Sequence, residues 1–197
     1  NRYISFVPQN PGRQTALRVK LADLPEKFAQ YEGQYRLVGR PKSISELGGV
    51  AESNNAPNFK ASKLGCAPSY LDWSNLGLIN VYGSEIIPNS TYEVQTYDLA
   101  CGNINDANCY SVPLIVHTSR WGDVVGTFDS VTRTWNPPDG RVDTATDVSA
   151  VLDKFRNTPT APAKARVDLE PEIPDQKINI TDVTMDLDAF RGRPYPF

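Results

Sequence analysis

The alternation of apolar and polar residues changes its period once along the chain. Up to about residue 119 the period is two. Segments 2–7, 15–21, 34–38, 77–82, 91–97 and 113–118 alternate, wholly or partly, between clusters of Pro, Gly and Asn, which predicts six short strands. Six such strands with long polar connections predict a mainly β chain whose first domain, 1–119, is an antiparallel β-sandwich. The stretch from Pro41 to Pro68 has few strand signals and reads as a long surface excursion. In Ile86-Ile87-Pro88-Asn89-Ser90-Thr91-Tyr92-Glu93-Val94, apolar residues and a proline precede a turn, and a tyrosine then opens a strand. That order predicts a tyrosine corner, in which the phenol bonds backbone a few residues upstream.

From residue 120 to 197 the pattern is helical and repeated. Thr146-Asp147-Val148-Ser149-Ala150-Val151-Leu152-Asp153-Lys154-Phe155-Arg156-Asn157 aligns without gaps on Thr181-Asp182-Val183-Thr184-Met185-Asp186-Leu187-Asp188-Ala189-Phe190-Arg191-Gly192, with seven of twelve positions identical. Val148, Leu152 and Phe155, like Val183, Leu187 and Phe190, form the single apolar stripe of a short amphipathic helix. Acids precede each helix at matched spacing: Pro138-Asp139-Gly140-Arg141-Val142-Asp143 parallels Pro174-Asp175-Gln176-Lys177-Ile178-Asn179, and Asp123 upstream parallels Asp168. Calcium takes six to eight oxygens from carboxylates, amides and carbonyls, and acids at alternate positions running into a helix supply them. Two calcium sites are therefore expected. The first comprises Asp123, the Val125 carbonyl, Asp139, the Arg141 carbonyl, Asp143 and Asp147, with 127–137 looping out as a hairpin. The second comprises Asp168, Glu170, Asp175, the Lys177 carbonyl, Asn179 and Asp182. The competing role for Asp147 and Asp182 is that of a plain helix cap.

Two calcium loops, each followed by one helix, resemble the dockerin type I module over about residues 120–192. The resemblance implies these ligands and a pseudo-twofold pair of helices. Against its pattern, both loops carry insertions, Gln176 stands where a loop Gly is expected, and one extra residue precedes Asp147. The hydroxyl pairs that cohesin recognition relies on read Thr144-Ala145 and Ile180-Thr181 here. The first domain resembles a fibronectin type III or immunoglobulin-like sandwich, best over 75–120. The whole is similar to C-terminal regions of secreted planctomycete and myxobacterial proteins of unassigned function.

Composition narrows the classes. Twenty basic and 23 acidic side chains are interleaved, without the basic cluster that nucleic acid requires. No apolar run approaches the length of a membrane helix. Cys101 and Cys109 flank a polar loop and suit a bridge; Cys66 with Cys101 is the alternative pairing, and three reduced thiols the other possibility. Either bridge implies an extracellular setting, secreted or at the cell surface. The chain starts at Asn1 without Met and reads as a processed piece. His117 is the only imidazole and no nucleophile motif surrounds it, so no enzyme is expected. The expected function is a non-catalytic structural or anchoring module, stabilised by calcium, which binds a protein partner or its own copies, as in a surface fibre. The alternative is a carbohydrate-binding module that stacks sugar on Tyr70, Trp73, Tyr82, Tyr97, Tyr110, Trp121 or Trp135. Sequons at Asn89 and Asn179 fit a surface protein. The closing Pro194-Tyr195-Pro196-Phe197, stiff and apolar after Gly192, is expected to fold back over the helices or the domain junction.

Overall fold

The computed structural model describes residues 2–9, 11–43, 45–47 and 60–197. All six expected strands are present: β1 (Tyr3–Phe6), β2 (Thr15–Asp23), β3 (Tyr35–Val38), β6 (Ile79–Tyr82), β7 (Thr91–Asp98) and β8 (Leu114–His117). Two more, β4 (Lys42–Ser43) and β5 (Lys60–Gly65), fall in the stretch expected to be a surface excursion, whose residues 44 and 48–59 lie outside the described residues. Lys60-Ala61-Ser62-Lys63-Leu64-Gly65 has no β-branched or aromatic residue. It is a strand because β6 and β3 offer their backbones on either side, a tertiary override of weak propensity.

The sheet order is β1-β6-β5-β3-β2-β7-β8, with β4 pairing β5. The mainly β expectation holds, but the antiparallel sandwich is replaced by one mixed sheet, nearly barrel-shaped, because β5 and β6 run parallel (Ala61 opposite Asn80) and β5 also joins β3. Inward side chains such as Ile4, Leu17, Val19, Val38, Ile79 and Val81 enclose Trp73, whose indole N–H donates to the Thr15 carbonyl at 2.7 Å. The tyrosine corner is formed. The Tyr92 hydroxyl donates to the Glu85 carbonyl at 2.9 Å and accepts the Ile87 N–H at 2.8 Å, with the ring fully buried.

Beyond the sheet come a small hairpin, β9 (Phe128–Asp129) with β10 (Thr134–Trp135), then helices α1 (Ser149–Phe155), α2 (Lys164–Val167) and α3 (Ile180–Phe190). The helices build a second core on Val124, Val125, Val151, Val167, Leu169 and Val183. Its buried faces are Val148-Val151-Lys154 on α1 with the turn before it and Val183-Asp186-Ala189 on α3, spaced by three. The expected stripe is thus rotated: Leu152 and Leu187 are half-buried, and Phe155 and Phe190 are 45% and 46% exposed. On α3 the cause is packing against backbone. Gly122, at φ +80°, lies so close to α3 that a Cβ on it would collide with the Ala189 Cβ, so the small residue faces inward and the phenylalanine outward.

The two cores are joined by the tail, as expected. Tyr195 packs against both, with its ring 5.1 Å from Trp121 and 6.1 Å from Phe28. The buried Arg2 guanidinium lies 5.2 Å from the Tyr195 ring and 4.8 Å from that of Phe197, at cation–π range. Cys101 and Cys109 form the disulfide, which decides between the two pairings, and Cys66 is an exposed thiol.

Candidate metal centre in two repeated loops

The two acid-rich loops share most of their hydrogen-bond pattern. In the first, Asp123 accepts the N–H groups of Asp139 (3.1 Å) and Gly140 (2.9 Å), Asp139 accepts Arg141 N–H (3.0 Å), and Asp143 caps the helix by accepting Ala145 and Thr146 N–H (2.9 and 2.7 Å). Asp147 Oδ1 accepts Val124 and Val125 N–H (2.8 and 3.1 Å), and its Oδ2 accepts Asp143 N–H (3.0 Å). In the second, Asp168 accepts Gln176 N–H (2.8 Å), Asp175 accepts Lys177 N–H (2.9 Å), and Asn179 accepts Thr181 N–H (2.7 Å). Asp182 Oδ1 accepts Leu169 and Glu170 N–H (2.7 and 3.0 Å), and its Oδ2 accepts Asn179 N–H (2.8 Å).

Two departures in the sequence have local structural answers. Gln176 occupies the left-handed position, φ +61°, that Gly140 fills at +89°. Its side chain offsets that strain by donating to the Tyr3 hydroxyl (3.1 Å) and the Pro174 carbonyl (3.0 Å). The extra residue before Asp147 is absorbed by a π-turn at Thr144–Val148, so that Asp147 still reaches the amides that its counterpart Asp182 reaches.

The first-loop residues Asp123, Asp139, Asp143 and Asp147 are thus gathered by one hydrogen-bond network, and Asp168, Glu170, Asp175, Asn179 and Asp182 by the other. Val125, Arg141 and Lys177, expected as carbonyl ligands, take part through their N–H groups. The helix caps are Asp143 and Asn179; Asp147 and Asp182 stand one turn inside, accept the N–H of those caps, and tie each loop to its helix. Among the described residues, no three acid, histidine or cysteine side chains stand close enough together to hold a metal ion in this arrangement. Two features still suit an oxygen-seeking cation. Asp168 Oδ1 is buried with no hydrogen-bond partner among the described residues, and so are both oxygens of Asp186. Burial raises the carboxyls of Asp123, Asp147 and Asp182, and pushes those of Asp168 and Asp186 up to about 8; for Asp186 the next causes are the charges of Asp147 and Asp123. Asp143 moves the opposite way, its charge held by the Thr146 N–H.

Partners from outside the loops escape sequence reasoning. Tyr3 donates from β1 to Asp168 Oδ2 at 2.5 Å, and the Arg2 guanidinium donates to the carbonyls of Leu169 (3.2 Å) and Glu172. Lys164 donates to the Gln176 carbonyl at 3.1 Å. Only Asp186 had a visible signal, since it stands where the repeat otherwise places Val151. Elsewhere, His117 is exposed on β8 and bonds Thr91 Oγ1 at 3.0 Å. Of the seven rings considered for sugar stacking, Trp73, Tyr82, Tyr97 and Trp121 are buried, and Tyr110 packs on Tyr97 and over Arg18.

No protein-family model, curated protein or solved structure matches this chain.

Proposed function

We infer that the chain is a non-catalytic extracellular structural or anchoring module whose C-terminal part, a dockerin-like pair of loop-and-helix repeats, is stabilised by calcium. The observation that carries this is the pair of acid loops with matching hydrogen bonds, together with buried carboxylate oxygens that lack partners among the described residues, Oδ1 of Asp168 in the second loop and both oxygens of Asp186 on α3. Burying a carboxylate without compensation is costly, and a hard divalent cation is the compensation that carboxylate and carbonyl oxygens suit best. Asp123, Asp139, Asp143 and Asp147 would hold one ion, and Asp168, Glu170, Asp175 and Asp182 the other, each with backbone carbonyls. When bound, the ion would neutralise like charges that the empty loop must otherwise carry or protonate.

The extracellular setting is supported by the Cys101–Cys109 disulfide. Assembly through this module is supported by β8, which lies at one end of the sheet order with Leu114 and Ile115 half exposed and the neighbouring Val112 88% exposed. An open strand edge with apolar side chains is a template for pairing with another chain. The test is a thermal unfolding scan in excess chelator and in millimolar calcium. An ion bound only by the folded state raises the midpoint by mass action. Equal midpoints would refute the calcium part of the proposal, and a monomer at high concentration in both conditions would refute self-assembly.

A further inference from the structure

We propose that the pocket between the β9–β10 hairpin and the segment leading into α2 binds an anionic saccharide, with Trp135 against the sugar ring and Arg133 and Arg166 holding its carboxylate or sulfate. This site lies outside the acid loops and needs no metal. The pocket has a volume of about 210 Å³ and is lined by Arg133 and Trp135 from the hairpin and by Pro159, Thr160, Pro162 and Arg166 from the later segment. Hydrogen bonds between the two segments hold it in shape. The indole N–H of Trp135 donates to the Thr160 carbonyl at 3.1 Å, and Arg166 donates to the carbonyls of Trp135 and Asn136 at 3.4 and 3.0 Å. The half-buried ring and one of the arginines are thus fixed before any ligand arrives, which lowers the ordering cost of binding.

The charge of the pocket says what it takes. In a chain of net charge −3, its walls carry two arginines and, among the described residues, no acid. Neither arginine forms an ion pair among the described residues. The hairpin's own acid, Asp129, is engaged by the turn, where it accepts the N–H groups of Val131 (2.8 Å) and Thr132 (3.3 Å). Arg166 is half-buried, and that burial holds its guanidinium below the usual value. An anion in the pocket would supply the missing charge, and guanidinium forks suit the paired oxygens of such a group. The walls then favour a sugar over a peptide. Peptides are commonly captured through backbone N–H and C=O groups, and Pro159 and Pro162 have no N–H to offer. The volume is below the roughly 300 Å³ at which pockets begin to take drug-sized molecules, so one ring-sized unit fits. Trp135 offers a ring for the apolar face of that unit, and Thr134 and Thr160 bring hydroxyls to the same walls for its polar edge.

The test titrates the whole chain with trigalacturonate, a sulfated galactose trisaccharide and neutral galactotriose, in chelator so that calcium cannot bridge sugar to protein, followed by tryptophan fluorescence and calorimetry. At least one anionic sugar should bind, more weakly as salt is raised, and the neutral one ~10-fold or more less tightly; which anion binds tells carboxylate from sulfate. Arg133 makes no hydrogen bond among the described residues, and asparagine is at ease at its φ of +56°. Arg133→Asn should therefore melt at the wild-type temperature yet lose ~10-fold or more in affinity, and Arg166→Lys, which keeps the charge but not the fork, should bind more weakly as well. No binding of either anionic sugar, equal binding of all three, or undiminished binding in both variants would overturn the proposal. Tighter binding of an acidic tripeptide than of any of the sugars would make this a peptide pocket and overturn it too.

Discussion

Replacing Tyr92 by Phe removes one oxygen from the corner between β6 and β7 and leaves the ring in place. The hydroxyl accepts the Ile87 N–H at 2.8 Å and donates to the Glu85 carbonyl at 2.9 Å, and the residue is 0% exposed. Without it, the Ile87 N–H loses its acceptor inside the protein. The Glu85 carbonyl is only partly buried and can turn to water. A stranded buried donor costs roughly 1 to 3 kcal/mol and a carbonyl that water can reach much less, so the sum is about 2 kcal/mol. Packing adds little, because the ring and its contacts with the core remain. For a chain of this size, about 2 kcal/mol lowers the midpoint by roughly 4 to 8 °C. Denaturant unfolding followed by tryptophan fluorescence should show a lower transition concentration with unchanged slope. Thr118 offers a cross-check, since its hydroxyl donates to the Ile87 carbonyl at 2.7 Å and accepts the Ser90 N–H at 3.0 Å. Thr118→Val combined with Tyr92→Phe should cost measurably other than the sum of the two, as members of one network do. A Tyr92→Phe variant as stable as the wild type would refute the corner as a fastening of this fold.

Other consequences can be checked independently. Deleting residues 194–197 removes Tyr195 and Phe197 from the junction of the two cores and should lower monomer stability by roughly 2 to 4 kcal/mol in denaturant unfolding; association lost at unchanged stability, seen by light scattering, would make the tail a subunit contact instead. Gly140→Ala and Gly122→Ala both place a side chain at positive φ, but the first points into open space and the second meets Ala189 and Val142. The expected losses are about 1 kcal/mol for Gly140→Ala and roughly 2 to 5 kcal/mol for Gly122→Ala, and equal losses would refute the close approach of the first loop to α3. In chelator, the folded-state carboxyl of Asp186 at about 8, against about 4 in the unfolded chain, contributes stability that is complete below about pH 4 and is lost as pH rises towards 8. Asp186→Asn should therefore gain on the wild type between pH 5 and pH 8 in chelator, and a difference independent of pH would refute this.

Some of this protein is local and was therefore legible in the sequence. The six alternating strands, the tyrosine corner, the hairpin after Gly126, the paired helices and the fold-back of the tail each follow from residues near one another in the chain. The matched acid spacing likewise foretold two matched loops, since each Asx-type contact spans only a few residues. The rest depended on distance. β5 has weak strand propensity and exists because two other strands flank it, which turned an expected antiparallel sandwich into a mixed, nearly closed sheet. The rotation of the α3 face, with Phe190 turned outward, was decided by how close Gly122 comes to Ala189 on that helix. Arg2 and Tyr3 serve the second loop from more than 160 positions away, as |i−j| is 167 for Arg2 with Leu169 and 165 for Tyr3 with Asp168. Periodicity records which side of its own element a residue faces. It carries no information about which distant charge or carbonyl will stand there, and for Asp186 that is the whole of its chemistry.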